Sequence, residues 1–441
     1  MTWVISASRR RLFAADRVLA RATQEKMSRI AAVCDGWQDG VGMPQGYTYL
    51  GQLLAHDLVS REQPREPTSV RSRRLDFDSM YGADAPLDDT GMFRYSPLSE
   101  SLAMDLLRDE RFVALIPEFR NDEHPIISQL HLTVELFHNA TLTHIRRSTA
   151  GRGLSAERQF DAAKQYVVAT LQRIYDEEYL CVCSDPLIYA QYRSRQLRVF
   201  DIPASEEQLP YEITHAALRF GHAQVRRAYR LNESPAETTL PELFELRGLH
   251  GGGSFRGVPR DKRVDWRRFF PWEKELRRGI VCVSGQRINP KIVAEMSRLS
   301  EPPEASILVR NIEAGIRTEL ASGQAIAELV ARIHPAGNVV PRIQLQRSDR
   351  KQHAILAEHG LLDATPLWLF LLIEAAAQGE DGMYLGPLGS IFLCETLRSA
   401  LEGQPSYSIV QAQCRKQFGL KQIGTFQELA RFADPALYDT P

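Results

Sequence analysis

The sequence predicts a mainly α fold: one large helical domain with long irregular loops. Three observations lead there. Apolar residues recur at helical spacing in segment after segment, strand-like alternation is scarce, and no repeat, low-complexity stretch or Pro/Ser-rich hinge divides the chain. With 441 residues, 44% of them hydrophobic, there is material for a sizeable core.

Taken in order, Gly51 to Leu58 reads as helix, which sets Gln52 and His56 four residues apart on one face and turns Asp57 elsewhere. Leu130, Val134, Phe137 and Leu142 mark a helix beginning near Pro125. Phe160, Ala163, Val167, Leu171 and Ile174 mark the next. A further helix is expected through Ile213, Ala217 and Phe220 to Tyr229, with Glu212 or Thr214 near its start. Others cover 305–319, 322–333, 366–378 and 386–402, the last opened by Gly386-Pro387. Irregular stretches at 60–100, 180–210, 232–275 and 334–350 lie between them, long enough to be functional or wrapped around a core. The expected division is an N-terminal extension at 1–39, a domain at 40–405 and a segment at 406–441 packed on it.

Lys and Arg total 54 against 55 Asp and Glu, so there is no basic field for nucleic acid or acidic lipid. Arg9-Arg10-Arg11 reads as a solvated face. The six cysteines (34, 181, 183, 282, 394 and 414) fit no zinc or redox spacing and read as free thiols. Arginines precede any apolar run of signal-peptide length, and no stretch approaches about 18 apolar residues. The expectation is a chain without a membrane span, in the cytoplasm. Gly251-Gly252-Gly253 lacks the following Lys-Ser/Thr of a phosphate loop. Trp266, Phe269, Phe270 and Trp272 read as a core patch. His131, His215, His250, His334, His353 and His359 are assigned to packing, and His138 and His144, six apart, face different ways.

Three segments carry chemistry: Gln52-Leu53-Leu54-Ala55-His56-Asp57, Arg120-Asn121-Asp122-Glu123, and Arg219-Phe220-Gly221-His222. Splitting a peroxide at a haem iron needs a base that takes a proton from one oxygen and returns it to the other, a role for neutral histidine. It needs a fixed cation where negative charge develops, which arginine supplies without titrating. An axial imidazole anchors the iron, and its second nitrogen needs an acceptor. His56, Arg120 and His222 fill the first three roles, and the side-chain oxygen of Asn311 is a candidate for the fourth.

Those segments resemble the peroxidase–cyclooxygenase superfamily, the animal-type haem peroxidases, in a divergent bacterial-like form. Gly51 to Leu58 looks like the distal helix, Arg120 to Pro125 the Arg-x-x-Glu segment and Arg219 to His222 the proximal helix. Asn311 to Gly315, running on to Gln324, is similar to the proximal Asn helix, and Leu75 to Gly82 to the end of the calcium loop. The likeness runs from about residue 40 to about residue 400, in the family's order. It implies a haem-peroxidase-like helical domain with His56 as distal acid/base, Gln52 orienting water, peroxide or halide, and Arg120 as electrostatic partner. It implies His222 as iron ligand, Asn311 as its hydrogen-bond partner and Arg219 on a haem propionate. Hydrogen peroxide and a small-molecule electron donor are the implied partners.

A calcium site is expected at Asp57, Ser72, the Arg74 carbonyl, Asp76 and Asp78, since the loop residues alternate and Ca²⁺ accepts mixed oxygen ligands. Departures from the family matter too. Ala55 stands where a carboxylate esterifies the haem in mammalian enzymes, so Glu123 is left for at most one ester to haem b. His124 replaces a haem-bonding Met, and Ala314 an Arg that supports a propionate. Arg219 stands where the fatty-acid dioxygenases of the superfamily carry their radical tyrosine. That places peroxidase ahead of a dioxygenase-like or tailoring oxidase, and ahead of a non-catalytic haem-binding protein.

Overall fold

The computed structural model describes residues 11–13, 34, 40–60, 71–203, 206–246, 256–272, 282–297, 306–334 and 350–438, and the backbone of 5–6. Most of the N-terminal extension, Arg9 and Arg10, His250, the Gly251–Gly253 triplet and the loop 335–349 lie outside the described residues. Helices dominate. The paired strands among the described residues are two residues long: Ile5–Ser6 with Phe200–Asp201, Tyr95–Ser96 with Asp105–Leu106, and Ala228–Tyr229 with Thr238–Thr239. The mainly α reading holds.

Two compact units interleave along the chain. One contains 52–179, 228–283 and 401–441. Its centre is the helix Pro125–Arg147, opened by Pro125 at the first helical position and by His124, whose Nδ1 accepts from the Ile127 amide. Leu130, Val134, Phe137 and Leu142 are all buried on it. Helix Ala156–Arg173 packs alongside, capped by Ser155. The C-terminal segment supplies two more helices. Tyr407–Phe418 lies on Ala156–Arg173, and Phe426–Ala433 lies on Pro125–Arg147. The latter opens with a capping box between Thr425 and Glu428. Trp266, Phe269, Phe270 and Trp272 are buried as expected, Phe270 stacking on Phe426 at 4.3 Å and Trp272 on Tyr438 at 4.9 Å.

The other unit contains 1–51, 180–227 and 284–400. Helix Leu367–Gln378 is apolar nearly all round because it is buried against Ala217–Gln224, Ile307–Arg317 and Gly323–Ile333. A Cβ on Gly323 would fall 2.0 Å from the Phe370 ring, so only glycine admits that approach. Buried Glu374 accepts the amides of Leu388 and Gly389 and so anchors the start of Pro387–Leu401.

Two expectations need correction. The single helix through Ile213 to Tyr229 is instead a helical turn at Tyr211–Thr214, a tight 3₁₀ run at Ala217–Gln224 and a strand at Ala228–Tyr229. Side chains explain the break: Arg219 Nε donates to the Thr214 carbonyl and Trp368 Nε1 to the Arg219 carbonyl. Those carbonyls are therefore not left to amides one helical turn on. The stretch 180–210, read as irregular, holds the helices Leu180–Cys183 and Pro186–Arg193. Asp185 caps the second ahead of Pro186, a start signal legible in the sequence.

Candidate active site

Gln52 and His56 project from the helix Gly46–Leu58, as the spacing predicts. Arg120 and Asn121 belong to a 3₁₀ turn, Phe119–Asp122, whose N-cap Glu118 accepts the Arg120 amide. Glu118 is fully buried and also receives Arg120 Nε and one terminal nitrogen at 2.8 Å each. From the other side it receives Arg71 at 2.8 and 3.1 Å. The Arg120 terminal nitrogen donates further to the carbonyls of His56 and Val59, at 2.9 and 2.8 Å. Arg120 therefore closes the C-terminal end of the histidine's helix, where a cation is favoured.

His56 donates from Nδ1 to Asn121 Oδ1 at 2.8 Å, and Nε2 has no hydrogen-bond partner among the described residues. Burial, reinforced by the charge of Arg120, pushes its pKa down to about 3. The imidazole is neutral at any ordinary pH. His124 donates from Nε2 to Gln52 Oε1 at 3.1 Å, because its Nδ1 is already the acceptor for the Ile127 amide. Gln52 in turn donates to Glu123 at 3.4 Å. The direction of that amide is thus fixed by a backbone N–H two links away.

In the other unit, His222 sits on the 3₁₀ run with its Nδ1 2.8 Å from Asn311 Nδ2, and Nε2 has no hydrogen-bond partner among the described residues. Burial, together with Arg219 and Arg310, pushes the His222 pKa down to about 3. The Asn311 amide is turned opposite to the sequence expectation, which had its oxygen facing the ring. The reason is Arg219, a donor-only side chain that claims Asn311 Oδ1 at 3.3 Å. Arg219 is partly buried with no carboxylate partner among the described residues, and desolvation beside Arg310 lowers its pKa to about 10.

The calcium-loop residues are placed differently from the expectation. Asp57 accepts the amides of Phe77 and Ser79 and the Ser79 hydroxyl. Asp78 pairs with Arg71, Asp76 accepts the Asp78 amide, and Ser72 accepts the Arg74 amide. Among the described residues no group of three or more His, Cys, Asp or Glu is arranged to hold a metal ion. Asp57 ties the loop to the His56 helix through protein donors, which also hold Phe77 at its left-handed φ of 56°. Burial, with Asp78 and Asp76 nearby, pushes Asp57 up to about 7.

Sequence reasoning missed Glu118, Asn121 and His131. His131, assigned to packing, receives Asn121 Nδ2 on its Nδ1 at 2.9 Å. The legible signal was His131 and Glu135 at i,i+4 on the helix beginning at Pro125. His138 and His144 are not paired: His138 lies between the Tyr81 hydroxyl and the Gly91 carbonyl, and His144 meets the Phe418 carbonyl.

Residues 60–248 match the animal haem peroxidase family, a span that includes Arg120, Arg219 and His222. No curated protein matches the sequence. Among solved structures, peroxidase A from Dictyostelium discoideum is similar with a TM-score of 0.62 and 15% identity, covering 96% of this chain and 92% of that one. Fatty acid α-dioxygenase from Oryza sativa gives 0.62 and 11%, covering 94% and 80%. That from Arabidopsis thaliana gives 0.62 and 12%, covering 96% and 76%. These structures share the fold of this chain, that of a haem peroxidase and of fatty acid α-dioxygenases. The family match spans less than half of the chain, and the likeness to the solved structures is one of fold. No described helix is long and apolar enough to cross a membrane.

Proposed function

We propose that the chain is a haem-dependent peroxidase that uses H₂O₂ to oxidise a halide, a pseudohalide or a small organic donor. One observation carries the reading: His56, neutral and tethered at Nδ1, presents a bare Nε2 with Arg120 braced across its own helix end. Haem, when bound, supplies the redox-active iron at which the O–O bond is cleaved. His56 Nε2 accepts the proton of the incoming peroxide and returns it to the departing oxygen. Arg120 supplies fixed positive charge. Gln52, oriented by His124, positions water or peroxide through its amide.

The residues present fit the cofactor. His222 offers a neutral imidazole whose Nε2 meets no partner among the described residues; with Asn311 Nδ2 donating to Nδ1 the ring proton sits on Nε2, and iron ligation needs the opposite tautomer. Arg219 is a partly buried cation suited to a propionate. An anion there competes for the guanidinium and frees Asn311 to turn its oxygen to His222 Nδ1, the acceptor that raises ligand basicity. Glu123, which accepts from Gln52, is the carboxylate that would form the one ester to haem b.

The fold is shared equally with the α-dioxygenases, so the choice rests on position 219, where arginine cannot carry a tyrosyl radical. A tailoring oxidase would use the same residues on a dedicated substrate, and a non-catalytic haem protein would not respond to peroxide. The haem-loaded protein is expected to oxidise guaiacol with H₂O₂, at a peroxide rate constant that is flat from pH 5 to 9. The sign follows from His56: with its pKa lowered to about 3, it takes up a proton only well below that window. A rate falling between pH 8 and pH 6 would contradict this assignment.

Calcium at Asp57, Asp76 and Asp78, with Ser72 and the Arg74 carbonyl, is proposed on narrower ground: burial and neighbouring carboxylates raise Asp57 and Asp76, and a divalent cation relieves that. Purified protein is expected to carry near-stoichiometric Ca²⁺ by elemental analysis and to unfold at lower temperature in EGTA. Protein free of calcium and indifferent to EGTA would leave the Asp57–Ser79 contacts as the whole device.

A further inference from the structure

Behind His56 runs a buried chain that the mechanism above does not use. Asn121, His131 and Glu135 are all fully buried. Asn121 lies between His56 Nδ1 at 2.8 Å and His131 Nδ1 at 2.9 Å, and His131 Nε2 lies 3.4 Å from Glu135 Oε1. Among the described residues neither Glu135 oxygen nor His131 Nε2 has a closer hydrogen-bond partner. An amide between two imidazoles can point either way, so the direction must be set elsewhere.

We infer that Glu135 is a positioning residue that sets the reactive nitrogen of His56 through His131 and Asn121. The logic runs from the far end. A buried carboxylate with no other donor takes the Nε2 proton of His131. Neutral His131 is then bare at Nδ1 and must accept, so Asn121 presents its NH₂ to it and its oxygen to His56. His56 must donate from Nδ1, which leaves Nε2 bare. Reverse any link and Nε2 carries the proton, the wrong form for taking one from peroxide. Burial raises the carboxyl of Glu135, with Asp105 adding to it, and contact with His131 opposes that. The net direction is upward, and the chain of donors runs as described when the carboxyl is ionised.

The inference rests on the reading of His56 as acid/base, but its test does not need haem. In the haem-free full-length chain labelled with ¹⁵N-histidine, long-range ¹H–¹⁵N spectra at neutral pH separate Nδ1–H from Nε2–H tautomers, and His56→Gln assigns the signal. The expected result is His56 held as Nδ1–H in the wild type and shifted to a mixture or to Nε2–H in Glu135→Leu. Asn121→Asp, whose carboxylate accepts from both rings, is expected to keep His56 as Nδ1–H while moving His131 from Nε2–H to Nδ1–H. It should also restore His56 in the double variant. In the haem-loaded protein, the peroxide rate constant should fall in proportion to the His56 population that loses its bare Nε2. His56 found as Nε2–H in the wild type overturns the proposal. So does an unchanged His56 in folded Glu135→Leu or, should that variant not fold, an unmoved His131 in Asn121→Asp. Failure of haem to bind would refute the functional reading and leave these tautomers as they are.

Discussion

Replacing His56 with alanine is expected to slow the reaction with H₂O₂ by roughly 100- to 10,000-fold, the range over which general acid–base groups contribute. Haem loading should be unchanged, because His222 and Arg219 belong to other segments of the chain. The side chain is tethered by one hydrogen bond, from Nδ1 to Asn121, so its removal orphans one amide oxygen and little else. Stopped-flow mixing with peroxide reads the rate, and the Soret absorbance reads the loading. A variant that loads haem and reacts at the wild-type rate would remove His56 from the mechanism.

Glu118→Gln should be the most damaging single substitution to the distal architecture. One carboxylate receives Arg71 through two nitrogens and Arg120 through two side-chain nitrogens and its amide. Asp78 remains as a partner for Arg71, whereas Arg120 keeps only carbonyl acceptors. Breaking a buried pair by removing one partner costs about 3–5 kcal/mol, since the surviving charge stays buried. Urea unfolding at pH 7 should show that loss. Burial alone would raise the Glu118 carboxyl, but Arg120 and Arg71 outweigh it and hold the pKa well below the ordinary carboxylate range. The stability it contributes is therefore complete above the unfolded value of about 4.3 and declines as pH falls below it. The gap between wild type and variant should narrow in that acid window. A gap unchanged from pH 7 to pH 3 would mean that the cluster is not ion-paired.

Much of this was legible in the residues. Helices with a strong apolar period, such as Pro125–Arg147 and Ala156–Arg173, were marked by Leu130, Val134, Phe137 and Val167, all buried in the fold. Gln52 and His56 followed from helical spacing alone. The segment before His222 misled because its period is helical while its carbonyls are claimed by Arg219 and Trp368, and the second of these is 149 residues away. The same distance problem hid the link from Asn121 to His131: periodicity puts His131 on a buried face and cannot say that a side chain from the preceding turn meets it. The amide of Asn311 points away from expectation because Arg219, taken for a haem contact, also competes for its oxygen. Short-range signals were overlooked rather than absent in the helices Pro186–Arg193 and Phe426–Ala433, which begin at Asp185-Pro186 and at the Thr425/Glu428 capping box.

The most direct test of the account is the visible spectrum of the haem-reconstituted protein before and after one equivalent of H₂O₂. The account predicts a Soret band that shifts on mixing and returns when guaiacol is added. A haem spectrum indifferent to peroxide, or no haem uptake at all, would contradict it.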